Sequence, residues 1–262
     1  MAGNPPHYVH PVVPPGREPA GPPTADDLTP PCPSLPAPAG EARVLLPGGV
    51  PLELVAVPAG TAQLGTAETA PERWSDERQH TATVGAFWLG KTPVTQAQWH
   101  AVMATSPAHF ADCGPECPVE NVSWHDCQAF AARLNTLIGC GFRLPTEAEW
   151  EYACRAGGDD TPPGAPRDAR AWTWDNAGQR PHPVGRKFCN PWGLYDMPGL
   201  IWQWCADRYV PEPGADTRRG TTRALRGGSF GDNSRSARCA ARDSDGADVR
   251  LPIYGCRIAR SR

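Results

Sequence analysis

The sequence has almost no lysine. Of its 25 basic residues, only Lys91 and Lys187 are lysines, and the formal net charge of the 262-residue chain is −3. Affinity for nucleic-acid phosphates requires clustered basic side chains. We therefore expect no nucleic-acid partner.

Long apolar runs are missing as well. No stretch approaches the roughly 18 apolar residues that a membrane-spanning helix needs, and the first 15 residues lack a basic region followed by an apolar one. These absences predict a chain without membrane insertion or a secretory signal, located in the cytoplasm by default.

Several catalytic signatures are also absent. The seven histidines form no H-E-x-x-H array, no G-x-S-x-G occurs, and no G-x-G-x-x-G follows a predicted strand. These absences argue against a histidine-ligated zinc or iron enzyme, an α/β-hydrolase and a dinucleotide-binding enzyme.

Proline and tryptophan are abundant but occupy different parts of the chain. Thirteen of the 32 prolines lie in residues 1–40, whereas all ten tryptophans lie between Trp74 and Trp204. Proline-rich segments that are poor in aromatic residues cannot bury enough surface to fold. We predict a flexible Pro-rich arm at 1–40 and one loop-rich domain at 41–262.

Short elements alternate with long connections in the predicted domain. Two strands flank a turn at 47–49, and helices are expected to start at the side-chain caps Thr95, Ser123 and Thr146. Glutamates 147, 149 and 151 are interpreted as a dipole-complementing cap followed by a solvated helix face. This pattern predicts an α+β fold with two to three short helices and a small antiparallel sheet.

Ten cysteines occur, and the closest pair, Cys113 and Cys117, could form a disulfide or share a metal ion. Without a signal peptide, reduced thiols are expected, although cytosolic disulfides do occur in some thermophiles.

A series of ordered motifs resembles the formylglycine-generating-enzyme and sulfatase-modifying-factor family. The motifs are VPAG at 57–60, KTPVT at 91–95, PVENVSW at 118–124, FRLPTEAEWEYA at 142–153, NPWGLYDM at 190–197, WQW at 202–204, LRGGS at 225–229 and GCRIA at 255–259. The resemblance implies the loop-rich, C-type-lectin-like fold of the formylglycine-generating-enzyme type.

The resemblance also locates what an oxidising member would need. Such members carry a Cys-x4-Cys pair shortly after the Arg-Gly-Gly-Ser motif, where thiolates can hold copper(I) or take part in thiol redox chemistry. Residues 230–238 contain no cysteine, and Cys239 belongs to an element that resembles a structural part of the family. We therefore expect no enzyme activity, no catalytic residue and no cofactor.

Calcium is the one ion that the resemblance implies. Family members often hold it near the Leu-Tyr-Asp-Met and Trp-Glu-Trp motifs. Asp196 and the carbonyls of Gly199 and Ile201 match, but Gln203 replaces the glutamate, and loss of a carboxylate weakens a site whose affinity depends on ligand charge. The expectation is weak calcium binding or none.

In residues 225–260, motifs typical of the family alternate with stretches that match no family motif. This arrangement resembles the variable region of diversity-generating-retroelement target proteins. Adenine-directed mutagenesis there yields NNY codons, which cannot encode Lys, Glu, Gln, Met or Trp. None of these five residues occurs between Phe230 and Arg262. The resemblance implies a non-enzymatic protein that binds a ligand, expected to be a protein, through a variable face.

We predict that the variable face is one exposed surface of fourteen residues. Its members are Phe230, Gly231, Asp232, Asn233, Ser236, Asp243, Ser244, Asp245, Gly246, Val249, Leu251, Pro252, Ile253 and Tyr254. Two alternatives stay open: an oxidoreductase relative of formylglycine-generating enzyme, and an accessory protein-interaction domain of that family. Core positions for Ile253 and Tyr254 also stay open, whereas Trp202, Trp204, Leu225 and Ile258 are predicted to be core.

Overall fold

The computed structural model describes residues 40–139, 141–158, 167–211 and 222–262. The predicted arm at 1–40 lies almost wholly outside these residues, so its flexibility stays a prediction. The strands and α-helices of the described residues are, in chain order, β1 (Glu41–Leu45), β2 (Pro51–Val57), β3 (Gly60–Leu64), β4 (His80–Val84), β5 (Phe87–Gly90), α1 (Gln96–Met103), α2 (Trp124–Ile138), β6 (Phe142–Arg143), α3 (Glu147–Arg155), β7 (Trp202–Arg208), β8 (Thr222–Arg226), β9 (Arg242–Gly246), β10 (Tyr254–Cys256) and β11 (Ala259–Ser261).

The strands form three sheets with the orders β1-β2-β5-β11-β6, β10-β7-β8-β9 and β3-β4. All described pairings are antiparallel except that of β10 with β7. Within the described ranges, three α-helices accompany these small sheets, which confirms the predicted α+β class and the C-type-lectin-like fold of the formylglycine-generating-enzyme type. No helix in these ranges is long and apolar enough to cross a membrane.

The helix starts lie where the sequence predicts them. The side-chain oxygens of Thr95, Ser123 and Thr146 each accept a hydrogen bond from the backbone amide three residues later, which completes a capping box in all three helices. Helix α2 buries Phe130 and Leu134, but Leu137 is 38% exposed near the helix end.

The prediction of a solvated glutamate face on α3 is wrong. Glu151 is 1% exposed and pairs with Arg155 and Arg226, while Glu147 pairs with Arg226 and Arg242. The reason is that α3 packs against β8, whose Arg226 reaches Glu147 and Glu151, and that Arg242 of the neighbouring strand β9 reaches Glu147.

Disulfides replace the reduced thiols that the sequence led us to expect. Cys113 is bonded to Cys117, which favours the disulfide over a shared metal ion, and Cys154 is bonded to Cys239. Cys189 is also disulfide-bonded.

Candidate ligand-binding face

The loop that follows Ser229 is held closed by Asp232. The Oδ2 atom of Asp232 accepts hydrogen bonds from the Ser229 amide at 3.1 Å, from the Ser229 hydroxyl and from Trp202 Nε1 at 2.9 Å. The Ser229 hydroxyl oxygen also accepts from the Gly231 amide at 3.1 Å. Although burial raises the pKa of Asp232, these donors favour its charged form. The loop is therefore a rigid turn.

Tyr254 joins two separate parts of the variable face. Its ring packs edge-to-face on Trp204, with centroids 5.2 Å apart, and its hydroxyl donates to Asp245 Oδ2 at 3.2 Å. Burial raises the pKa of Tyr254, and the nearby carboxylates of Asp243, Asp245 and Asp232 raise it further. The phenol thus stays protonated where the segments 231–233 and 243–246 converge.

Strand β9 is an edge strand among the described residues, and it presents short polar side chains. Asp243 and Asp245 each accept a hydrogen bond from the following backbone amide, at 2.8 and 2.7 Å. The chain then turns through a bond from the Val249 amide to the Gly246 carbonyl, and the Leu251 carbonyl accepts from the Asn121 amide, both at 3.0 Å. These backbone contacts hold the loop regardless of which side chains it carries.

The structure does not expose all fourteen residues of the variable face. The prediction is wrong for Phe230, Ser236, Ile253 and Tyr254, which are 3–5% exposed. Phe230 packs edge-to-face on Phe110 with centroids 5.5 Å apart, while Ile253 and Tyr254 lie in the core with Trp204 because β10 pairs with β7.

The remaining ten positions contact solvent, and we call them the open positions. Asn233 is exposed and the others are half-buried. They are Gly231, Asp232, Asn233, Asp243, Ser244, Asp245, Gly246, Val249, Leu251 and Pro252. The four residues predicted to be core, Trp202, Trp204, Leu225 and Ile258, are all buried, which confirms that prediction.

A network of buried ion pairs supports the face from the other side of the sheet. Arg226 Nη2 lies 2.8 Å from Glu151 Oε2, and Arg238 Nη1 donates to Glu77 Oε2 at 2.8 Å. Opposite charges lower the pKa of Glu147 although burial opposes this, and they raise that of Arg226. Sequence reasoning missed this network, although the arginine of the LRGGS motif and the arginines at 238 and 242 were a signal for it.

The same network lines a pocket of about 160 Å³ between α3 and the β3–β4 hairpin. Its lining includes Asp76, Glu77, Glu147, Glu151, Arg226 and Arg242. Because the carboxylates and guanidinium groups pair with each other, this pocket is a structural charge cluster.

The free thiols of the described residues lie outside the loop in which oxidising relatives carry their cysteine pair. Among the described residues, the free cysteines are Cys127, Cys205 and Cys256, and all three are buried. Cys239, the cysteine nearest to the Ser229 loop in sequence, forms a disulfide with Cys154 and therefore has no free thiol. The described cysteines therefore place no pair of free thiols within the loop that follows Ser229.

One predicted calcium ligand has a free oxygen. The Oδ1 atom of buried Asp196 has no hydrogen-bond partner, while Oδ2 accepts from the Gly185 amide at 2.7 Å. Burial raises the pKa of Asp196 to about 6. The Gly199 carbonyl accepts from the Ile201 amide at 2.9 Å.

The other groups around Asp196 fit a calcium ion poorly. Gln203 Oε1 is occupied by Trp150 Nε1 at 2.8 Å and Arg257 Nε at 3.0 Å, and the Arg257 guanidinium also donates to the Asp196 carbonyl. Calcium takes six to eight oxygen ligands, whereas here the Asp196 carboxylate lies beside the positively charged Arg257 guanidinium. In the described ranges, no group of three or more His, Cys, Asp or Glu is placed to hold a metal ion. Weak or absent calcium binding stays a prediction.

Known proteins resemble the chain over most of this fold. The chain is 30% identical to chaperone protein LppX of Paenibacillus barcinonensis, over 76% of this chain and 87% of that protein. It is 34% identical to a formylglycine-generating enzyme of Streptomyces coelicolor, over 55% of this chain and 53% of the enzyme. The chain thus spans about half the length of that enzyme.

Solved structures show the same likeness. Treponema denticola variable protein 1 superposes with a TM-score of 0.76 at 28% identity, over 86% of this chain and all of that one. PvdO from Pseudomonas aeruginosa gives a TM-score of 0.71 at 26% identity, over 80% and 94% of the two chains. Residues 49–262 match the family described as the sulfatase-modifying factor enzyme 1-like domain. The chain belongs to this family.

Proposed function

We propose that the chain is a non-enzymatic ligand-binding protein whose variable face is diversified by a retroelement on a C-type-lectin-like scaffold. The observation that carries this proposal is the convergence of segments 231–233 and 243–246 on the paired residues Trp202 and Tyr254. The buried ion pairs on the other side of the sheet, Arg226–Glu151 and Arg242–Glu147, form a frame that does not use these segments. The likeness to Treponema denticola variable protein 1, over the whole of that chain, supports it.

The open positions suit such a role. They are short loops and an edge strand whose backbones are fixed by the bond from the Asp232 amide to the Ser229 carbonyl and by the Leu251–Asn121 hydrogen bond. Asp232 is the exception among them, because its carboxylate also holds the Ser229 turn. Short polar side chains beside half-buried apolar ones are typical of adaptable recognition surfaces. The proposed ligand is a protein, and no cofactor takes part.

The missing thiol pair argues against the oxidase alternative, although relatives named formylglycine-generating enzyme are among the matches. The purified chain should not convert the cysteine of a Cys-x-Pro-x-Arg peptide to formylglycine, with or without copper. The measurement is mass spectrometry of the peptide. Turnover that disappears on substitution of Cys239 would establish the oxidase alternative instead.

Diversification leaves a trace in the DNA. The region that flanks the gene should contain a near-copy of the codons for residues 225–260, beside a reverse transcriptase gene. The two copies should differ at adenines of the near-copy, and the differences should fall mainly in codons of the open positions. A flanking region without such a copy, or differences at other bases, would contradict retroelement diversification.

A further inference from the structure

An arginine stacked on a tryptophan lies beside the open positions. Arg223 of β8 is directly opposite Asp245 of β9, so the two side chains lie on the same side of the four-stranded sheet. The guanidinium carbon of Arg223 lies 3.7 Å from the centroid of the Trp124 ring, at the first residue of α2. Arg223 and Trp124 both precede residues 225–260, so neither changes when the open positions are diversified.

Two successive carbonyls of β7 hold this stack in place. Trp124 Nε1 donates to the Cys205 carbonyl at 2.9 Å, and Arg223 Nη1 donates to the Ala206 carbonyl at 3.2 Å. The ring and one edge of the guanidinium are therefore fixed relative to the sheet. Tryptophan and arginine are enriched among the few residues that contribute most of the binding energy of protein interfaces.

The charge of Arg223 is not neutralised in the way that the charge of Arg226 is. Arg223 is half-buried, and among the described residues its side chain makes one hydrogen bond and no ion pair. Its neighbour Asp245 accepts instead from the Gly246 amide at 2.7 Å and from the Tyr254 hydroxyl at 3.2 Å. Because a guanidinium carries five N–H donors, Arg223 keeps donors for a group that is not part of this chain.

The charges around Arg223 favour an anion as that group. Arg208 of β7 is directly opposite Arg223 in the ladder, and like charges in such a pair destabilise a sheet. Burial and the charge of Arg208 lower the pKa of Arg223, whereas Asp207 raises it. A bound anion would relieve the repulsion between the two arginines. A carboxylate suits the planar fork of a guanidinium, because it can accept two parallel hydrogen bonds from it.

We propose that Arg223, held against Trp124, is a constant anchor beside the variable face and binds an aspartate or glutamate side chain of the protein ligand. This inference rests on the proposed function and names a chemistry that all diversified copies of the chain would share. The anchor requires an acidic patch on the ligand. The open positions then choose among ligands that carry such a patch, because the anchor does not change with them.

The test measures how the full chain binds a fluorescein-labelled peptide of alternating glutamate and glycine, by fluorescence anisotropy at low ionic strength. The same peptide with glutamine in place of glutamate is the reference, and it should bind more weakly. Arg223→Gln should raise the Kd of the glutamate peptide about tenfold, as expected for loss of a charge-assisted pair of hydrogen bonds. Arg223→Lys keeps the charge but not the planar fork, so it should restore only part of the affinity.

The matched control is Arg250→Gln. It removes an exposed arginine that also lies beside the open positions but is already paired with Asp126, and it should change the Kd less than about twofold. If Arg223→Gln does not fold, Arg223→Lys and the two peptides still decide. Equal binding of the two peptides by the parent chain, or equal losses of affinity in the Arg223 and Arg250 variants, would overturn the proposal. Neither result bears on the proposed function, which the codons of the flanking DNA test separately.

Discussion

The two sides of the four-stranded sheet differ in how their polar groups are satisfied. On one side, Arg226 of β8 and Arg242 of β9 are paired across the strands and reach the buried carboxylates of α3. On the other side, Trp204 and Leu225 form a core beside the half-buried acids Asp243 and Asp245. Because strand side chains alternate between sides, the same strands supply a closed frame and an open face. Of the open positions on β9, Asp243 and Asp245 lie on the open side, whereas Ser244 lies on the side of Arg242.

The two sides of the sheet are therefore stabilised by different interactions. The arginine side has its charges neutralised internally, so it does not depend on the residues at the open positions. Apart from the Asp232 carboxylate, which holds the Ser229 turn, the open side is tied down by backbone hydrogen bonds that do not depend on the side chains present. The contrast leads to predictions with effects that range from large on the frame to negligible at the open positions.

The largest effect is expected from Arg226→Ala. This change leaves Glu151 buried with Arg155 as its only cationic partner beside the Gly65 amide, and loss of one partner from a buried ion pair costs about 3–5 kcal/mol. The free energy of unfolding, measured by urea denaturation, should fall by that amount. Arg250→Ala, which breaks the exposed pair with Asp126, is the control and should cost less than about 1 kcal/mol. Equal losses of unfolding free energy in the two variants would contradict the prediction that the buried ion pairs contribute more stability than an exposed pair.

Residues of the variable face that are buried should behave as core. Ile253→Ala and Tyr254→Ala should each lower the free energy of unfolding by about 2–5 kcal/mol, close to the loss in Trp204→Ala. Tyr254→Phe, which removes only the hydrogen bond to Asp245, should cost about 0.5–1.5 kcal/mol. If thermal and urea unfolding showed Tyr254→Ala to be neutral, Tyr254 would belong to the open side.

Asp196 should make stability depend on pH. Its pKa is raised from 3.8 to about 6 by burial, so the folded chain binds its proton more tightly than the unfolded chain does. The stabilisation is fully present below pH 3.8 and is lost as the pH rises to about 6, a difference of about 2–3 kcal/mol.

The comparison with Asp196→Asn isolates this contribution. Urea unfolding is measured between pH 4 and 7 with a calcium chelator present. The free energy of unfolding of the variant should increase relative to that of the parent as the pH rises, because only the parent must ionise the buried carboxyl. A difference between the two free energies that is constant over this range would mean that Asp196 titrates normally.

The smallest effects are expected at the open positions. Asn233→Ala and Ser244→Ala should change the free energy of unfolding by no more than about 0.5 kcal/mol, since neither side chain fills the core. Differential scanning calorimetry of both variants beside the parent provides the check. A loss above about 2 kcal/mol in either variant would remove that position from the open set.

Local signals predicted local structure well. The caps Thr95, Ser123 and Thr146 place the helix starts because a capping box involves only residues three apart. The ordered motifs predicted the fold because their resemblance extends over most of the domain.

Contacts between distant segments could not be predicted in the same way. Ile253 and Tyr254 resemble any exposed pair in a loop until β10 pairs with β7 and buries them. Glu151 resembles a solvated helix residue until β8 brings Arg226 to it. In both cases burial is set by pairing partners that lie far apart in the sequence.

The most direct test of a tolerant binding face is a displayed library. The codons of the nine open positions other than Asp232, whose carboxylate holds the Ser229 turn, are replaced by NNY, and the library is selected against immobilised lysozyme as a model protein target. A matched library randomises nine exposed positions outside 225–260. The account predicts that most members of the first library resist surface proteolysis as the parent does, and that it alone yields binders whose affinity disappears when the open positions are restored. A first library that is mostly protease-sensitive, or binders that arise equally from the matched library, would contradict the account.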